Sequence, residues 1–238
     1  MPFVVHGEKM NLDKFYLTSD SHLFHKNIIK YCNRPYEFTW EAVKQMNEDI
    51  LSQFDKLPAG STIINLGDIA LNGSLTFDTL KACIDRMKKN GKKLWIVLGN
   101  HDREIHFRVS DFKGKYNSPY ELFTALGFDM VFPYPILLED KFLMSHEPVY
   151  LAPGSNLINI YGHTHDIDIS EDYFCHECKN FAMMARVKAE GITKQTNLDI
   201  DTEVISDPTK TVDLKNYFNA CWDKHHDILK LTDVFTKF

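Results

Sequence analysis

Asp20, His22, Asp68, Asn100, His146, His163 and His165, with His101 beside them, are the side chains of this chain whose types and spacing suit chemistry. Two aspartates, one neutral amide and four imidazoles are too rich in nitrogen for a pure Mg or Ca site, and they lack the thiolates of a structural zinc site. They are also too many for one ion that must keep a position open for substrate. The economical arrangement is two divalent transition-metal ions sharing a carboxylate, with a bridging water or hydroxide. Zn, Mn, Fe, Co or Ni would each fit. Any one of these histidines alone reads as an ordinary structural residue, whereas the set together points to metal binding.

Every candidate stands at the end of a short apolar run. Residues 15–19 lead into Asp20-Ser21-His22, and 62–66 into Gly67-Asp68. Residues 94–98 lead into Gly99-Asn100-His101-Asp102, 141–145 into His146, and 157–161 into Gly162-His163-Thr164-His165. Such runs, with β-branched and aromatic members and too short for buried helices, predict interior strands. The carboxyl ends of strands are where α/β sheets place ligands and catalysis. Of the 11 histidines, six, counting His25, fall at or just after such an end, which is not how scattered solvent histidines would fall.

The intervening segments read as helices. Thr39 is a cap residue ahead of Val43, Met46, Ile50, Leu51 and Phe54 at helical spacing, and Phe77, Leu80, Ile84 and Met87 form a second apolar stripe closed by Asn90-Gly91. Ser118-Pro119-Tyr120-Glu121 opens a further helix and Gly127 closes it. Strand and helix alternate from residue 15 to 98, which predicts parallel βαβ units. After Phe128 the pieces become short and β-rich, broken by Pro133, Pro135, Pro148 and Pro153. Leu214, Tyr217, Phe218, Cys221, Ile228 and Leu229 predict a C-terminal helix over 213–231.

A length of 238 residues with 44% hydrophobic and 25% charged side chains is that of a single folded domain over 1–238. The net charge of −6 argues against wrapping duplex DNA, and no dedicated nucleic-acid-binding domain is visible. No apolar leader or membrane-length run is present, so the expected location is cytoplasmic, with no membrane partner. Nothing in the sequence sets an oligomeric state. Five cysteines, an odd number, predict reduced thiols. Cys175 and Cys178 form half of a zinc knuckle that Cys221 and His225-His226 would complete only by folding back, so two loop thiols are the simpler reading.

Taken together, Asp20-x-His22, Gly67-Asp68, Gly99-Asn100-His101-Asp102, His146 and Gly162-His163-x-His165 resemble the five-block signature of the calcineurin-like metallophosphoesterases. The continuation from His25-Lys26-Asn27 to Arg34-Pro35 is similar to compact single-domain members from bacteria and their phages. The resemblance implies an α/β fold in which two mixed sheets pack as a sandwich flanked by helices, here with the extra C-terminal helix. It implies that Asp20, His22 and His165 hold one ion, that Asn100, His146 and His163 hold the other, and that Asp68 bridges them. His101 would contact the substrate phosphate and protonate the leaving oxygen, with Asp102 orienting its imidazole. His25 and Arg34 are candidates for reading substrate phosphate, although Arg34 equally suits a surface ion pair. The implied activity is hydrolysis of a phosphodiester or phosphomonoester, of a small or nucleotide-type substrate, by a metal-bridging hydroxide.

Three other readings use the same residues: a nuclease, a phosphoprotein phosphatase, and a non-catalytic binding module on this fold. A nuclease would want basic tracks, and a module that had lost catalysis would have substituted ligands. Neither is found. Ser19, Ser21 and Ser145 lie beside the ligands without a histidine-base arrangement, so serine catalysis is not indicated. Between His165 and Asn197 the chain spends about thirty residues where compact members return quickly to a closing strand, so 166–196 reads as an insertion, a surface embellishment or a flap.

Overall fold

Alternate side chains of three short strands fill two different cores in the computed structural model, which describes residues 11–152, 154–169, 173 and 214–238 and the backbone of 3–5. The strands are β2 (Phe15–Thr18), β3 (Thr62–Asn65) and β4 (Lys93–Val97). Phe15, Leu17, Ile64 and Val97 point to one side, and Ile63, Leu94 and Ile96 to the other. This is the period-two pattern of a sheet covered on both faces.

β2, β3, β4 and β5 (Met130–Phe132) run parallel, and the two-residue β10 (Leu229–Lys230) closes that sheet antiparallel to β2. The second sheet has the order β1 (Phe3–Val5), β6 (Ile136–Leu138), β7 (Phe142–Met144), β8 (Ile158–Tyr161), β9 (Tyr217–Asn219). Its β6–β7 pair is antiparallel and the rest are parallel. Ile136, Leu138, Phe142, Met144, Ile158 and Ile160 from this sheet meet Phe15, Leu17, Ile64 and Val97 of the first in one buried cluster. The two mixed sheets therefore form the expected sandwich. Burying each such side chain stabilises the fold by about 1.5–3 kcal/mol before the entropy of ordering it is counted.

The outer face of the first sheet is covered by helices. Val43, Met46, Ile50 and Phe54 of α2 (Trp40–Lys56) join Leu80, Ile84 and Met87 of α3 (Phe77–Met87) and Leu122, Phe123 and Leu126 of α5 (Pro119–Leu126) against Ile63, Leu94 and Ile96. α1 (Ile28–Tyr31) and α4 (Asn100–Arg108) complete that layer. The caps are those the sequence predicts: Thr39 Oγ1 accepts from the Ala42 N–H, Ser118 Oγ accepts from the Glu121 N–H, and Gly127 takes the left-handed conformation. None of the described helices is long and apolar enough to cross a membrane.

The single helix expected over 213–231 is not what forms. From Leu214 the described chain makes a 3₁₀ turn, β9, the one-turn α6 (Trp222–His225), β10, and then α7 (Leu231–Phe235). The apolar spacing had the right residues but the wrong period. Tyr217–Asn219 finds an open edge on β8, and His226 in left-handed conformation ends α6 after one turn. Cys175, Cys178, the stretch 181–187 and all but residues 166–169 and 173 of the 166–196 segment lie outside the described residues.

Candidate metal centre

The strand ends are stitched to one another by backbone hydrogen bonds. The Asp20 N–H donates to the Gly67 carbonyl (2.9 Å), the His22 N–H to Asp68 (3.0 Å), and the Gly162 N–H to His146 (2.8 Å). These bonds join the end of β2 to that of β3 and the end of β7 to that of β8, and Asn100 and His101 bring in the end of β4, so the candidates gather in one place. Asp68 lies at its middle. Its Oδ1 accepts from the His101 backbone N–H at 2.9 Å. Its Oδ2 faces three imidazoles, at 3.6 Å from His22 Nε2, 3.5 Å from His146 Nε2 and 3.9 Å from His101 Nε2.

On one side of Asp68, ligand atoms of Asp20, His22 and His165 lie within 4.8 Å of one another. On the other side, Asn100 Oδ1 is 3.0 Å from His146 Nε2 and 3.1 Å from His163 Nδ1, and the two nitrogens are 3.2 Å apart. Metal–ligand bonds of about 2.0–2.2 Å set neighbouring ligand atoms roughly 3 Å apart, so this triangle has the size of one face of a coordination shell. The Leu66 carbonyl, 2.8 Å from His146 Nδ1, calls for a proton on that nitrogen and leaves Nε2 of the neutral ring as a bare donor toward the triangle. On the first side, Asp20 Oδ1 and His22 Nε2 are buried and have no hydrogen-bond partner among the described residues, an orphaned acid–imidazole pair that a cation would satisfy. The donor set and its spacing fit divalent ions.

Electrostatics agree with that fit. Burial works against a charge on His146, yet Asp68, with Asp20 and Asp102, overrides it and lifts the pKa to about 9. A proton there stands in for a cation, and metal binding would release it. Burial opposes ionisation of Asp68 as well, but His146 and His22 hold its carboxyl well below the ordinary range. Burial keeps His22 and His163 below theirs, neutral and ready to ligate.

The backbone is strained at these residues. Asp20, His22, Asp68, His163 and His165 take φ of +56°, +48°, +55°, +71° and +55°, a left-handed region that costs a residue with a Cβ roughly 1–2 kcal/mol. Two glycines allow the close approach of the strand ends. A Cβ on Gly99 would stand 2.1 Å from Asp68 Oδ1, and one on Gly162 would stand 2.1 Å from Ser19 Oγ and 2.6 Å from Asp20 Oδ2. Asp20 Oδ2 itself accepts from Ser19 Oγ, the His163 N–H and Cys221 Sγ, which leaves Oδ1 facing the centre.

Two expectations are corrected by the geometry. Asp102 does not orient His101. It occupies the third position of α4 and is wholly buried, with Oδ2 accepting from the Asp68 N–H (2.6 Å) and the Gly99 N–H (2.9 Å) and Oδ1 from the Ile69 N–H (3.2 Å). It ties the Gly67-Asp68 loop to the start of α4, while His101 Nδ1 has no partner among the described residues. Arg34 does not face substrate, nor is it a surface residue. Its five N–H groups are all engaged, two by the Asp223 carboxylate (2.6 and 2.9 Å) and the others by the Asp20 and Ser21 carbonyls and Met46 Sδ. His25 does stand at the centre, with Nδ1 3.2 Å from His22 Nδ1 and burial lowering its pKa to about 4.

Asp223 is the site residue that sequence reasoning missed. Its Oδ2 accepts from His165 Nδ1 at 2.7 Å, fixing that ring and, against the effect of burial, raising its pKa to about 10. The signal was present, because residues 217–219 followed by Ala220-Cys221-Trp222-Asp223 repeat the apolar-run-then-acid pattern once more. With both partners inaccessible, Asp223→Ala should strand the Arg34 guanidinium and destabilise the fold by about 3 kcal/mol. Urea denaturation checks this, and an Arg34→Met, Asp223→Leu double variant should recover most of the loss while leaving His165 unsupported.

A family model described as calcineurin-like phosphoesterase matches residues 13–186. An uncharacterized protein of Methanocaldococcus jannaschii is 32% identical over 107 residues, 44% of this chain and 56% of that protein, so the match spans little more than half the relative's length. A protein of unknown function from Aquifex aeolicus superposes with a TM-score of 0.50 at 17% identity, covering 94% of this chain and 98% of that one, a likeness of fold alone. A family match that begins just ahead of β2 and runs past His165 takes in every strand end at the centre, and the chain belongs to the calcineurin-like phosphoesterase family.

Proposed function

We propose that this protein hydrolyses a phosphodiester or phosphomonoester of a small or nucleotide-type substrate with two divalent transition-metal ions. The observation that carries this reading is the position of Asp68 Oδ2, between the Asp20–His22–His165 cluster and the Asn100–His146–His163 triangle. In this reading the first cluster would hold one ion and the triangle the other, with Asp68 the carboxylate that would serve both. When bound, the ions supply Lewis acidity and lower the pKa of a water molecule so that it can act as a nucleophile near neutral pH.

The chain's own groups do the rest. Asp223 holds the His165 ring and the Leu66 carbonyl holds the His146 ring, so neither must reorganise when substrate arrives. Ser19, Cys221 and the His163 N–H fix Asp20. His101, 27% exposed at the side chain with Nε2 turned toward Asp68, is placed to meet the phosphoryl oxygens and to give a proton to the departing oxygen. His25 lines the same edge.

Elemental analysis should find two ions per chain, and chelation should abolish hydrolysis of bis(p-nitrophenyl) phosphate and p-nitrophenyl phosphate, with recovery on adding Mn or Zn. A metal-free preparation with full activity would exclude this mechanism.

A further inference from the structure

His25 is shared between the metal centre and a pocket of about 280 Å³ whose other walls include Phe24, Lys26, Asn27, Trp40 and Asn72. That volume is just under the roughly 300–1,000 Å³ range of small-molecule sites, room for one ring system. The His25 ring lies 5.3 Å from the His22 ring and 6.2 Å from that of His101, so the pocket opens one imidazole away from Asp68.

Trp40 and Lys26 line it, and Phe38, Lys30 and Tyr31 adjoin them and His25. Tyr31, Phe38 and Trp40 are 74%, 37% and 50% exposed, and all three fall within ten residues of one another, where a merely solvated surface would carry polar side chains. Lys26 Nζ lies 4.3 Å from the Phe38 ring centre and 5.5 Å from that of Trp40, and Lys30 Nζ lies 3.8 Å from Phe38. These lysines bring positive charge to a chain whose net charge is −6. Asn27 lines the pocket and precedes α1 without using its side chain as a cap, so the amide, one donor group and one acceptor, is not taken up by the helix. A ring to stack on, an amide for a base edge and cations for phosphate, beside a phosphate-directed centre, together describe a nucleotide.

We infer that the substrate is a nucleoside phosphate ester, with its base in the Trp40–Asn27 pocket and its phosphoryl group at the Asp68 centre. This rests on the phosphoesterase reading and names the substrate class of that same site. The sugar spans the width of His25. Trp40 is then the specificity-determining residue, acting on the base and not on the reacting phosphorus.

Two measurements test it separately from that reading. In the metal-loaded protein, Trp40→Ala should lower kcat/KM for a nucleoside phosphate ester roughly 5- to 150-fold, the usual worth of one base stacked on an aromatic ring, and leave ribose 5-phosphate within about twofold. Trp40→Phe, which keeps a ring, should recover most of the loss. In the metal-free protein, calorimetry should show adenosine monophosphate or a short single-stranded oligonucleotide binding more tightly than ribose 5-phosphate, with the preference abolished by Trp40→Ala. Which of the two binds better tells a free nucleotide from a strand end, and either outcome supports the pocket. If no ester is hydrolysed, the phosphoesterase reading fails and the calorimetry alone decides the pocket. Equal losses on esters with and without a base, or no preference for the base in binding, would overturn the inference.

Discussion

Asp68→Asn should empty the centre and lower turnover on the order of 10⁴-fold, about 5.5 kcal/mol of transition-state stabilisation. The substitution keeps the shape of the side chain, so Oδ1 can still accept from the His101 N–H. What changes is the atom between the imidazoles of His22 and His146, where a charged oxygen becomes a neutral amide nitrogen or a weaker donor. A carboxylate shared by two ions both ligates them and screens their mutual repulsion, so its loss weakens each site at once. Lys44→Ala, on the exposed side of α2, should leave metal content and turnover unchanged. Metal stoichiometry and rate measured on both variants give the answer. An Asp68→Asn protein that keeps two ions and near-normal turnover would rule out a shared carboxylate.

His101→Ala separates chemistry from scaffold. It should retain both ions and the fold and still lose on the order of 10² to 10⁴ in turnover, the range for a general acid or a stabiliser of developing charge. Only the side chain is removed, so the backbone N–H that holds Asp68 stays in place. The loss should depend on the leaving group. A p-nitrophenolate departs with little need of a proton, so the variant should keep far more of its activity on an aryl ester than on an alkyl or nucleoside ester. Equal losses on both would leave His101 a phosphate-binding role and remove it as proton donor.

The strand ends were legible because their signal is local: a short apolar run, a glycine, then a ligand. So were the caps at Thr39 and Ser118. What could not be read depended on the direction the local backbone gives a side chain, or on partners far away in sequence. α4 begins directly on Asn100, and the helical geometry sends Asp102 back to the Gly99 N–H and not toward His101. Arg34 read as a phosphate reader or a surface ion pair because nothing nearby shows that Asp223, 189 residues on, closes over it. The segment from Leu214 misread as a helix because its apolar residues fit a 3.6 period as well as they fit two short strands, and only the free edges of β2 and β8 decide between them.

The late position of Cys221, Asp223 and β10 in the chain has a consequence for the order of events during synthesis. Asp20 emerges early, but its contact with Cys221 closes a separation of 201 residues, and β2 gains its outer neighbour only when β10 appears. The parallel strands β2 to β5 and their helices can assemble first, as earlier segments of a nascent chain do. The turn at Asp20 has early support from Ser19 and the Gly67 carbonyl but still lacks Cys221, and His165 lacks Asp223, the carboxylate that holds its ring. Contacts of such high sequence separation form late, so the capacity to take up metal should lag behind folding of the main sheet. A ribosome-bound chain stopped before residue 217 would then carry a folded sheet but an open, poorly chelating centre.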